Sequence, residues 1–235
     1  MDFPPQPPPD VPAPPPGPEA IDSQIKWRMI CIVGGVSVAF AGILFLHAKL
    51  DGRNRGSDRS EALSNIRQVG LCLFAFDEEY GRFPDPTTIP AVQVATGTTL
   101  ALGNSSSNGL FRQLLATVIK SEKIFWTRTS TTPKRPNDLL GADALAPGEC
   151  AFSYVAGLTS AGDPETPILM TPMIRGTWKF DPEPFGGKAI VYCLDCSATA
   201  LPIDKNGDVI LNGMNLFDPR QPFWRGKAPD IKYPE

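Results

Sequence analysis

Five cysteines, one histidine and a few grouped carboxylates are the side chains on which chemistry in this chain could rest. Cys193 and Cys196 stand in a Cys-x-x-Cys spacing at the end of a strand-like stretch. In an oxidising compartment that spacing could close a disulfide, and either residue could instead reach Cys150, which precedes another apolar stretch. Buried free thiols are the second reading, and metal or redox chemistry the third. The third is opposed because there is no second pair for a zinc site and no βαβ setting for a redox motif. Cys31 falls in a long apolar run and Cys72 within a helical apolar pattern, where a free thiol acts as a small hydrophobe.

His47 is the only imidazole, and it borders the long apolar run. The rest of the chain therefore lacks a histidine for Ser/His or Cys/His catalysis, for general base work or for metal ligation. Asp77, Glu78 and Glu79 are consecutive, so on a helix they point three different ways and read as a solvated helix end. "DKNGDVILNGMN", from Asp204, has the outline of an oxygen-rich calcium loop. Its glycine is fourth where the sixth is needed, and Asn215 stands where a bidentate glutamate belongs, so a β-turn is the reading. No phosphate-binding loop, dinucleotide fingerprint or nucleophile elbow occurs in a credible context. The chain is read as non-enzymatic, with no catalytic, cofactor-binding or metal-ligating residue and no cofactor.

Around these side chains the chain divides into four parts. Residues 1–25 hold "FPPQPPPDVPAPPPGP", a low-complexity tract that samples extended polyproline II and is read as a disordered tail, with docking to an aromatic groove as the alternative. Residues 26–50 are read as a transmembrane helix. Met29 to Leu46 carries no charge over eighteen residues, about 27 Å of helix, and Trp27, Lys26, Arg28 and Lys49 suit its two interfaces. Residues 51–60, with "DGRNRGSD", read as a hinge, and residues 61–235 as one α+β domain. A net charge of −3 and a pI near 5.3 leave no basic footprint for nucleic acid.

Within the domain, Ala62, Ile66, Val69, Leu73, Phe76 and Tyr80 recur at alternating spacings of four and three, which puts them on one face of a helix. Gly81 and Pro84 end it. The Thr- and Gly-rich stretch after it reads as a loop, and Leu110 to Ile119 as a second amphipathic helix capped by Asn108. Strands are expected in "CAFSYVAGL", "TPILMTPMI", "GKAIVYCL", "ATALPI" and "VILNG", with Asn206-Gly207 as a hairpin signal before the last. Such short connections predict an antiparallel sheet.

"SNIRQVGLCLFAFDEEYGRFPD" and "FGGKAIVYCLDCSATALPI" resemble bacterial prepilin-like proteins, in particular the major pseudopilin of type II secretion, in the helix with its Tyr-Gly-x-Phe-Pro exit and in the final strand pair. "NGLFRQLL", "SEKIFW" and "ALAPGECAFSYVAGL" are similar to the middle of that group, so the likeness runs from about Glu61 to Ile203. It implies an N-terminal membrane helix, an amphipathic helix packed on a small antiparallel sheet, and no enzymatic activity. The processing pattern of the family is missing: the fifth residue after Gly35 is Phe40 instead of glutamate, the usual Asp-Gly turn has become Asp195-Cys196, and Gly52 and Gly56 interrupt the helix.

The resulting expectation is a single-pass inner-membrane protein serving as a structural or secretion-associated component of the cell envelope. Its partners would be membrane lipid and a homo-oligomeric or pseudopilin-like assembly, with a further partner for the proline tail. Charge near the span favours a cytoplasmic domain, since Lys49, Arg53, Arg55 and Arg59 follow it while Lys26 and Arg28 precede it. The resemblance favours the periplasm, which is the placement adopted. Two rivals are a membrane-anchored module that recruits a cytoplasmic partner through its proline tail, and a hydrolase using Asp77 or Glu78.

Overall fold

The stripe from Ala62 to Phe76 is the inner face of a helix, α1, in the computed structural model, which describes residues 55–235. The apolar run 29–46 and the proline tail lie outside the described residues, and among the described ones no helix is long and apolar enough to cross a membrane. Helix α1 covers residues 55–80, so the hinge expected over 51–60 is already helical from residue 55, with Gly56 inside it. One glycine costs a helix about 1 kcal/mol, too little to break one whose following turns are buried against a sheet. Ala62, Ile66, Val69, Leu73 and Phe76 are all 0% exposed. Tyr80 is only half-buried and stacks on Phe76 at 4.4 Å. Gly81 then takes a left-handed φ of 74° and its N–H closes on Asp77 O at 2.8 Å.

The stretch expected as a loop contains a second helix, α2, Ile89–Thr96, started by Pro90 in its first turn and ended by left-handed Gly97. Only Val92 in it is fully buried, so it has no apolar stripe to betray it. Helix α3, Ser107–Thr117, begins one turn before its apolar pattern. Its cap is Ser106, whose hydroxyl accepts from Gly109 N, and not Asn108, which lies inside the helix and donates to Leu145 O at 2.8 Å.

Four strands then form an antiparallel meander: β1 Ser153–Ala156, β2 Pro167–Thr171, β3 Lys188–Cys193 and β4 Ala198–Pro202. Beyond β4, a short pair β5 Ile210–Leu211 and β6 Met214–Asn215 forms, and β7, Asp230–Lys232, returns to pair with β1, giving a five-stranded sheet ordered β4-β3-β2-β1-β7. Asn206-Gly207 makes a turn closed by Asp204 N to Asp208 O, but no strand pair crosses it. The hairpin lies one step on, where left-handed Asn212 and Gly213 join β5 to β6. β7 was not foreseen: "DIKYPE" is short and polar, and becomes a strand only because β1 offers it an unpaired edge.

Both faces of the sheet are covered. Tyr154, Leu169, Ile190 and Tyr192 meet α1 and α3 in one core. Val155, Met170, Ala189 and Val191 meet Val209, Leu216, Phe217, Phe223 and Trp224 in another. A register shift between Pro167 and Leu169 lets neighbouring Ile168 and Leu169 both reach the first core. Burial on both faces is why the interior of β3 is buried residue after residue.

Candidate functional site

The Cys-x-x-Cys stretch is the turn between β3 and β4. Cys196 N bonds Cys193 O at 3.1 Å, Asp195 Oδ1 accepts from Ser197 N at 2.8 Å, and Cys196 adopts a left-handed φ of 64°. Alternation along β3 sends Tyr192 toward α1 and Cys193 to the opposite core. Cys196 is exposed and its thiol lies beside the Tyr192 hydroxyl, on the helix side. Cys150 is buried in the helix-side core, between Ser107 Oγ at 3.8 Å and Phe152 O at 3.7 Å. The structure holds Cys72, Cys150, Cys193 and Cys196 as free thiols, and the sheet itself separates Cys150 from Cys193. Burial pushes the thiols of Cys150 and Cys193 up to about 12, Cys193 with help from Asp195, so neither is a ready thiolate nucleophile.

The carboxylates at the end of α1 do not converge. Asp77 Oδ2 accepts from the N–H and hydroxyl of Ser160 and ties the last turn of α1 to the loop after β1, while Glu78 and Glu79 face solvent. Among the grooves on the surface of the described residues are three open ones. They are lined by Arg55, Asp58, Arg128 and Glu183 (≈ 250 Å³), by 96–100 with Lys120 and Leu140 (≈ 280 Å³), and by Glu61, Lys123, Trp126 and Arg135 (≈ 130 Å³). None of the three borders Asp77 or Glu78. In the loop from Asp204, the carboxylate of Asp204 caps its own turn by accepting from Asp208 N and, with a smaller effect, from Asn206 N, which lowers its pKa. Asp208 Oδ1 in turn accepts from Asn215 Nδ2 at 3.1 Å. Among the described residues no three potential ligands gather around a metal-sized space.

Comparison with protein-family profiles, curated proteins and solved structures returns no match.

The geometry instead concentrates on the seam between α1 and the sheet. Gly70 is where the helix touches β3: a Cβ there would fall 2.2 Å from the Tyr192 ring. Asn65 Nδ2 donates to Trp126 O at 2.7 Å, Arg67 to Ala198 O at 3.3 Å, and Tyr154 Oη to Pro84 O at 2.9 Å, so the helix is fastened along its length and at its exit. Nothing in the residue types announced Gly70. A lone glycine inside a helical apolar stripe is the signal that could have marked the close approach.

Glu122 also escaped the sequence reading, because "SEK" looks like a solvated surface triplet. It is 0% exposed; Oε1 accepts from Leu145 N and Oε2 has no partner. Burial raises its pKa, and nearby Glu149 and Asp138 push the same way, while the N–H of Leu145 opposes them. With Arg112, which donates to the carbonyls of Ala144, Leu145 and Ala101, it fixes the long loop before β1 onto α3. The role of both is positional.

Proposed function

We propose that this chain is a single-pass inner-membrane protein whose head, outside the cytoplasm, works as a pseudopilin-like structural or secretion-associated component of the cell envelope, without catalytic activity of its own. The observation that carries the reading is the seam: a helix starting by residue 55 lays its apolar face along an antiparallel meander and leaves it through Tyr80, Gly81, Arg82, Phe83 and Pro84. That is the arrangement the resemblance of Ser64 to Asp85 implies. The apolar run 29–46 supplies the anchor, and a helix that serves as the spine of a sheet transmits position instead of forming a pocket.

Cys196 makes the reading testable, because it is exposed while Cys72 and Cys150 are buried. In intact cells, a membrane-impermeant maleimide is expected to label the full chain, and to lose most of that label in Cys196→Ser. Labelling that appears only after the inner membrane is broken would place the head in the cytoplasm and overturn the proposed location. Recovery of the chain in the soluble fraction after alkaline carbonate washing would overturn the anchor.

A further inference from the structure

Between β2 and β3 the chain makes a small hairpin, Met173 to Phe180, whose two ends bridge each other and are buried. Its tip is held tightly. Ile174 N bonds Lys179 O at 2.9 Å, Thr177 Oγ1 donates to Ile174 O at 2.8 Å, and Tyr233 Oη donates to Thr177 O at 2.6 Å. On this rigid tip Ile174 and Trp178 are 44% and 40% exposed, with Arg175 and Lys179 exposed beside them. No carboxylate occurs from Met173 to Phe180, although the whole chain has a net charge of −3. Asp181 follows next in the chain and accepts from Ser130, and Asp204 is near enough to Lys179 for that cation to help lower its pKa.

The position of the tip matters as much as its composition. Ser130 and Glu183 line one groove with Arg55 and Asp58, and Thr127 Oγ1 donates to Asp58 O, so the root of the hairpin and the beginning of α1 share one end of the head. The apolar run ends at Leu46, and residues 47–54 can span at most about 28 Å even when fully extended.

We propose that Ile174, Arg175, Trp178 and Lys179 dock the head on the anionic surface of the membrane in which the chain is anchored. The inference rests on the anchored reading above. Tryptophan suits the headgroup region, where the indole body lies in apolar surroundings and its N–H stays wet. Each cation near an anionic leaflet is worth about fivefold in occupancy. A rigid tip loses little conformational freedom on docking. Four side chains fall far short of the roughly 800 Å² per partner that a stable protein interface needs, which favours a lipid surface over a protein.

The test uses the full chain reconstituted in vesicles of phosphatidylcholine and phosphatidylglycerol in equal parts, with and without brominated acyl chains. Of the four tryptophans, Trp126 and Trp224 are each 6% exposed inside the head, so bromine quenching should come from Trp27 and Trp178. The expected result is quenching that falls by a separate share in Trp27→Phe and in Trp178→Phe. The Trp178 share should shrink at least fivefold in Arg175→Glu/Lys179→Glu or in vesicles of phosphatidylcholine alone. Quenching that depends on Trp27 only overturns the docking and leaves the anchor standing. Absence of both shares overturns the anchor and the docking with it. Trp178 shielded from iodide in proportion to protein concentration, without bromine quenching, assigns the tip to a protein contact and also overturns the proposal.

Discussion

One face of the sheet is closed by α1 and α3, regular elements whose apolar side chains follow a helical period; the other is closed by residues 203–224, which are mostly turns, one two-residue strand pair and a single 3-10 turn. The two cores use the same materials. Phe76 on the helix side and Phe217 on the other are each 0% exposed, and each stacks on an aromatic neighbour. What differs is how the backbone is satisfied. The helix provides its own hydrogen bonds, whereas the irregular layer borrows them: Gln221 Nε2 reaches Leu211 O at 2.7 Å and Trp224 Nε1 reaches Leu216 O at 2.8 Å. An irregular cover can be as dry as a regular one, but buried side chains such as Gln221 and Trp224 then serve the backbone as well as the packing.

This contrast is broken or sharpened first by matched truncations. Phe76→Ala and Phe217→Ala should each lose about 3–5 kcal/mol, measured by denaturant unfolding. Hydrogen exchange should then separate them. Phe76→Ala is expected to lower protection throughout α1 and the sheet, whereas Phe217→Ala should open amides of 203–224 first and leave α1 protected. Equal loss in both regions would mean that the two covers form one cooperative unit.

The seam comes next. Gly70→Ala places a methyl against the buried Tyr192 ring and should cost about 1–3 kcal/mol. Tyr192→Leu in the same chain should recover much of it, and a double-mutant cycle that shows simple additivity would remove the contact from the argument.

The smallest effect concerns Glu122. Its folded pKa is raised, first by burial, so the neutral carboxyl is the form the fold prefers. The stability linked to that proton is complete below the unfolded pKa and is lost as pH climbs through the raised folded value. Glu122→Gln should therefore gain in thermal midpoint relative to the parent at pH 8 and show little gain at pH 4. A gain that is the same at both values would show that the proton is not involved.

Much of the helix side was legible. The stripe from Ala62 to Phe76 lies as its spacing requires, and Gly81 ends it through a left-handed φ, because local sterics and a 3.6-residue period suffice for both. The four meander strands were legible as short apolar stretches between turn-forming residues, but only β3 and β4 are joined by a tight turn; residues 157–166 and 172–187 link the other neighbours. Helix α2 was hidden because only Val92 in it is buried, and β7 because pairing with β1, some 75 residues away, makes it a strand. Cys193 and Cys196 were visible as a spacing, but their sides of the sheet depend on where β3 ends and how the turn bends.

Sequence by itself determined the apolar faces, the end of α1 and the antiparallel sense of the sheet, since these follow from periodicity and backbone freedom. Only the tertiary structure decided that the C-terminal coil would close the second face, that Gly70 would admit Tyr192, that Glu122 would be buried, and that a basic, aromatic tip would stand at the end where α1 begins. Those outcomes depend on contacts between residues far apart in the chain, whose free energy no local pattern records.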